Sequence, residues 1–192
     1  MNKKKSKALI STLLICLCAM MIAIQFVFER FLSISTPFYR IGLTFISRAV
    51  TGLCVGMILG GLCSWTADYL GSILVYGSVN PFISAAALLR GLCFGWAYRK
   101  KEPNIVFTVL TVLFDQFFCG WVVTTTGLIR FYGMPNNAAT WGSRALQALF
   151  LTAVEIPVLL LLNKSVFPPL RAFLRGHGVY DRFDRKEKSV ED

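Results

Sequence analysis

The chain has 192 residues, 55% of them hydrophobic and only 16% charged, against roughly 25% charged in ordinary soluble domains. That balance excludes a water-soluble globular protein; nearly the whole length is needed for membrane spans, with no room for a second folded domain. The net charge of +10 would suit a nucleic-acid binder, but the basic residues gather between and after apolar runs, so nucleic acid is excluded as a partner and the lipid bilayer is implied.

The chain starts Met1-Asn2-Lys3-Lys4-Lys5-Ser6-Lys7, a basic segment over residues 1–7, followed by an apolar run to Phe28. About 20 residues is the length of a span rather than of a signal-peptide core, so Ala8–Phe28 reads as a retained first helix. It carries Ala19-x-x-x-Ala23, two small residues on one helical face that let a partner helix come close. Spans two and three, Ile41–Gly56 and Met57–Tyr76, are separated by almost no loop, and Gly56, Gly60 and Gly61 supply the flexibility for a tight turn. Span four is Pro81–Tyr98, span five Ile105–Gly127 and span six Ala145–Leu162. Two outer loops, Glu29–Arg40 and Leu128–Arg144, are too long for tight turns and rich in hydrogen-bonding groups, as lids over a site are. The membrane domain thus covers 8–164. In the tail, 165–192, Pro168-Pro169 stops the sixth helix. Leu170, Phe173 and Leu174 beside Arg171 and Arg175 predict a short segment on the inner membrane surface, and the polar end Asp181–Asp192 is expected to be disordered.

Orientation follows from Lys and Arg. With the N-terminus inside, fourteen of the twenty basic residues fall on inner segments, among them Lys3, Lys100, Lys101 and Lys164. Arg30, Arg40, Arg130 and Arg144 fall outside, and Arg48 and Arg90 within spans. The bias predicts six spans, a multi-pass protein of a bacterial cell membrane and two cytoplasmic termini.

Enzymatic motifs are missing. There is no Gly-x-x-x-x-Gly-Lys-Ser/Thr, no Gly-x-Ser-x-Gly and no His-Glu-x-x-His. The six cysteines lie in apolar segments without a Cys-x-x-Cys pair, and the one histidine, His177, is in the tail, so neither a metal site nor a cofactor is expected. Chemistry rests instead on five ionisable residues within spans: Arg48, Asp68, Arg90, Asp115 and Glu155. Each costs roughly 2.5 to 3.5 kcal/mol to place at the bilayer centre. Asp68 and Arg90 sit at comparable depths in neighbouring spans, so either they form a buried ion pair or they meet a ligand. Asp115, with Gln116 beside it, poses the same choice. Glu155 lies two residues before Pro157 and reads as structural, capping a backbone donor near the proline.

The order of features resembles the substrate-binding S component of an energy-coupling factor (ECF) transporter, in its folate-type branch. The residues that carry this are Arg40-Ile41-Gly42-Leu43-Thr44-Phe45-Ile46 at the start of span two, Gly56 and Gly60 with Ala67-Asp68-Tyr69-Leu70-Gly71 in span three, and Ala86-Ala87-Leu88-Leu89-Arg90-Gly91-Leu92-Cys93-Phe94-Gly95 in span four. Phe131-Tyr132-Gly133-Met134-Pro135, Arg144 and Pro157 complete it, so that it covers roughly 8–164. The Ala19/Ala23 face resembles the signature with which S components dock on their membrane partner. Two departures stand out: Val55-Gly56-Met57 replaces the family's frequent Gly-Pro, and Thr125-Thr126-Gly127-Leu128 stands where many members have Asn-Thr-Leu-Trp.

The resemblance implies an all-α six-span bundle that captures a folate-like vitamin from outside and enlists a transmembrane coupling protein and two ATPase subunits. It implies no catalysis by the chain itself, in keeping with the missing nucleotide motif. A pterin's donors suit Asp68 or Asp115, its flat ring suits Trp65, Tyr69 or Trp141, and its glutamate carboxylates suit Arg40, Arg130 and Arg144 near the outer face. The alternatives are an S component for another vitamin or nucleobase, and a membrane scaffold that binds no small molecule.

Overall fold

The computed structural model describes residues 3–31, 33–35, 40–99 and 105–176. The predicted disordered end Asp181–Asp192, His177, and Lys100 and Lys101 lie outside them, as does the side chain of Arg40. The fold is a helical bundle with one short hairpin at one end. α1 runs Lys3–Arg30 and is followed by β1 (Ser33–Ser35) and β2 (Arg40–Gly42). These pair antiparallel, Ser33 with Gly42 and Ser35 with Arg40. α2 is Thr44–Val55, α3 Met57–Tyr76 and α4 Pro81–Arg99. One continuous rod then comprises α5 (Ile105–Leu113), a π-helical stretch (Phe114–Val123) and α6 (Thr124–Tyr132). α7 is Ala138–Ser165 and α8 Phe167–Gly176.

Among the described residues, Met57–Val75, Ile105–Tyr132 and Ala138–Ser165 are long and apolar enough to cross a membrane. α2 is short, 12 residues or about 18 Å, because the hairpin takes up the segment predicted as its first turn. Gly56 alone makes the break between α2 and α3, at φ 86°. Gly60 and Gly61 do not form the predicted turn; they lie inside α3 and face α4. The second outer loop also differs from expectation. The fifth helix continues past Gly127 to Tyr132, and α7 begins at Ala138, leaving only 133–137 between them. Asn137 caps α7, its side chain accepting from the Thr140 amide at 3.0 Å.

The half of the bundle away from the hairpin is packed solid. Phe45, Leu53, Phe94, Tyr98, Val112, Leu159 and Phe167 form one buried cluster joining α2, α4, α5, α7 and α8. Pro168-Pro169 open α8 rather than merely ending α7, at positions where the missing amide hydrogens cost nothing. The predicted surface trio of α8 divides: Leu174 is buried and Leu170 packs on the core, while Phe173 is exposed. Arg171 fastens α8 by donating to the Tyr98 carbonyl at 2.9 Å.

Candidate binding cavity

The half of the bundle nearer the hairpin is hollow. A cavity of about 530 Å³ is lined by the end of α1, by α2, α3 and α4, by the π-helical stretch and α6, and by α7. Helical spacing explains its lining. Thr44 and Arg48 share a face of α2, Asp68 and Ser72 a face of α3, and Ile83, Ala87 and Arg90 a face of α4. On α7 the lining residues Arg144, Gln147, Ala148, Leu151 and Glu155 repeat at three- and four-residue intervals. The π-helical stretch contributes Gln116 and Gly120, with Thr124 following. Its wider turn spaces inward residues four to five apart, and such segments recur at functional sites. Thr124 closes it by donating its hydroxyl to the Cys119 carbonyl at 2.8 Å.

Charge is concentrated here. Arg30, Arg48, Arg90 and Arg144 line the cavity together with Glu29, Asp68 and Glu155. Asp68 is 4% exposed and accepts a hydrogen bond from the Ser84 hydroxyl at 2.9 Å. Of the two alternatives for Asp68 and Arg90, the ion pair between them is not formed among the described residues. Arg90 turns toward the rod instead, its Nε 3.0 Å from Asp115 Oδ1, an ionic contact rather than a well-aligned hydrogen bond. Its Nη2 also approaches Thr124 Oγ1 at 3.5 Å. Asp115 is thereby occupied by Arg90 behind the cavity wall and is not among the lining residues. Glu155, expected to be structural, lines the cavity and accepts from Gln116 Nε2 at 2.6 Å.

The remaining predicted residues stand elsewhere. Tyr69 and Trp65 lie side by side on the outward face of α3, their rings tilted and 5.4 Å apart, each 39% exposed. Arg130 is exposed at the end of α6, away from the lining. Trp141 is partly buried and serves the loop: its indole donates to Asn136 Oδ1 at 2.9 Å, and its carbonyl accepts from the Trp121 indole at 3.0 Å. Arg144 lines the cavity and donates to Gln147 at 3.0 Å. Tyr132, at the end of α6, is the aromatic residue in the lining. Ala19 and Ala23 are both exposed on α1. Among the lining residues not selected from sequence are the charged or amide-bearing Glu29, Arg30, Arg48, Gln116 and Glu155. A signal existed for Glu155, which lies on the same face of α7 as Arg144, 11 residues on.

No protein-family model matches the chain. A relative, the folate transporter FolT of Clostridium novyi (strain NT), is 28% identical over 170 residues, which cover 88% of this chain and 88% of that protein. The crystal structure of FolT bound with folic acid matches with a TM-score of 0.73 and 27% identity, covering 80% of this chain and 95% of the other. Both comparisons bear out the likeness to folate-type S components and the all-helical membrane fold.

Proposed function

We propose that this chain, a folate-type S component by sequence and fold, is the vitamin-capturing subunit of an importer and takes folate or a close pterin relative into the cavity of its outer half. The observation that carries the reading is a buried, mixed-charge cavity in a bundle that shares fold and sequence with a protein whose crystal structure holds folic acid. The volume, about 530 Å³, lies in the usual range for small-molecule pockets. Its arginines suit a ligand with carboxylates, and its own carboxylates suit a heterocycle with N–H donors. Asp68, Arg90 and Arg144 are the sequence-selected residues that line it; Arg90 reaches it while tied to Asp115. The hairpin β1–β2 borders the cavity through Gly42 and is the lid candidate.

In this reading the protein crosses the membrane six times with both termini in the cytoplasm. α1 docks through Ala19 and Ala23 on a transmembrane coupling protein, whose two ATPase partners supply the energy. The exposure of both alanines supports a helix-to-helix contact.

The test is titration of the purified protein with folic acid by tryptophan fluorescence, alongside folate uptake by cells carrying the full transporter. Saturable binding of folic acid is expected, and failure to bind it would sink the reading. Ala19→Trp with Ala23→Trp should abolish uptake and spare binding; retained uptake would refute the docking face.

A further inference from the structure

Glu155 carries an unmet hydrogen-bonding capacity. It is 3% exposed and lines the cavity. Its Oε1 accepts from Gln116 Nε2, while its Oε2 is buried without a hydrogen-bond partner. A buried acceptor left bare is costly, the more so on a carboxylate. Two neighbours keep the site open. Gln116, donating to Oε1, fixes the plane of the carboxylate so that Oε2 keeps one orientation. Gly120 keeps the ground beside it clear, since a Cβ there would come within 3.4 Å of Gln116 Oε1 and 3.3 Å of Arg90 Nη2. Arg48, 7% exposed, lines the same cavity with a guanidinium that can donate to a carbonyl.

Position along α7 adds a polarity. Eleven residues separate Arg144 from Glu155, about 16 Å along the axis and close to three full turns. The two therefore share one face, with a cation toward the outer end and a carboxylate deep in the bundle. A ligand with carboxylates at one end and N–H donors at the other meets a complementary group at each.

We propose that Glu155, held by Gln116, is the group that reads the heterocycle: its carboxylate accepts from a ring N–H and the adjacent exocyclic amino group, selecting a 2-amino-4-oxo ring over one with a carbonyl at position 2. This rests on the folate-type reading above. A 2-oxo ring turns an acceptor toward Oε2, where two lone pairs face each other and the buried oxygen stays unpaired.

The probes are folic acid and its 2-deamino-2-hydroxy counterpart, titrated into the full-length protein in detergent. The wild type should prefer folic acid by about 10- to 100-fold, the span of one charge-assisted hydrogen bond. Glu155→Gln should weaken folic acid binding by a similar factor and bring the two ligands close to equal. The melting temperature of the unligated variant reports separately on folding. Equal folic acid affinity in variant and wild type overturns the inference while leaving the folate reading intact. Weaker binding of both ligands with the preference preserved assigns Glu155 to structure and overturns it as well. If Glu155→Gln fails to fold, the wild-type comparison decides, because a wild type indifferent to the 2-amino group has no such contact. A wild type that binds no folic acid removes the folate reading itself.

Discussion

The two sides of α4 are built by opposite means. Toward α2 and α3 the contact is backbone on backbone. A Cβ on Gly95 would lie 2.5 Å from Met57 Cα and 2.7 Å from the Gly56 carbonyl. One on Gly91 would lie 2.7 Å from the Gly60 carbonyl, and one on Gly52 2.9 Å from Gly95 Cα. Small residues at such an interface let dispersion act over a long seam where lipid offers no hydrophobic drive. Toward the rod the contact is side chain on side chain, ionic where Arg90 meets Asp115 and aromatic where Trp96 meets Phe107, and the rod is tied to α7 in turn by Gln116 with Glu155. The glycine seam leaves no space, and the cavity opens beyond it, where side chains of α2, α3, α4, the rod and α7 line the gap. A glycine therefore means different things on the two sides: Gly95 permits contact, whereas Gly120, on the π-helical stretch, preserves room.

The largest effect is expected where the polar side loses one partner. Arg90→Met leaves Asp115, 1% exposed, as a buried carboxylate without its cation. Breaking a buried pair in this way costs about 3–5 kcal/mol, visible as a much lower thermal midpoint in detergent. Arg90→Met combined with Asp115→Leu should recover most of that loss, because the pair's desolvation cost disappears with both charges. A double variant no more stable than the single one would mean that the wall depends on some other feature of Arg90, such as its approach to Thr124.

Gly95→Ala comes next and examines the other side. The added methyl meets main-chain atoms, which cannot swing away as a flexible side chain can, so α4 must withdraw from the start of α3. About 2–3 kcal/mol of stability should be lost. Gly95 does not line the cavity, so the variant that remains folded should bind folic acid nearly as well as wild type. A large drop in affinity at unchanged stability would show that seam and cavity are mechanically one.

Much of the seam was legible in the sequence and much of the polar side was not. Met57–Tyr76 matches the helix observed, which Gly56 and Gly77 flank with positive φ, and α4 starts at Pro81, as span four does, with proline at home in a first turn. Asp68 and Arg90 were matched by depth, but sequence spacing says which residues share a face of one helix, not which neighbour that face meets. Arg90 proved to face Asp115. Tyr69 follows Asp68 directly and so points about 100° away from it, out of the bundle. The π-helical stretch breaks the 3.6-residue period on which any reading of span five depends, and for that reason Asp115 and Gln116 could not be sorted into wall and cavity. The Thr-rich segment at 124–126 ends in a glycine and looked like the end of a span; Gly127 instead packs on Asn80, whose side chain donates to its carbonyl at 2.9 Å.

The smallest effect on the fold, and the finest test of the contrast, is Gly120→Ala. Its new methyl would lie 3.3 Å from Arg90 Nη2 and 3.4 Å from Gln116 Oε1, both ends of side chains that can shift by a few tenths of an ångström. The third neighbour, the Asp115 carbonyl at 3.4 Å, is within ordinary contact. Removing a glycine from a helical segment also stiffens it, a gain of up to about 1 kcal/mol. The unligated protein should therefore melt close to wild type. Ligand binding should not be spared, because the methyl narrows the cavity beside Gln116, and one methyl group in a fitted pocket changes affinity by about tenfold or more. Reading both quantities on one preparation separates the two roles of glycine: Gly95→Ala lowers the melting temperature and leaves affinity alone, and Gly120→Ala does the reverse. Should Gly120→Ala melt early and bind normally, the rod would be packed as tightly as the α3–α4 seam, and the cavity would owe its space to some other residue.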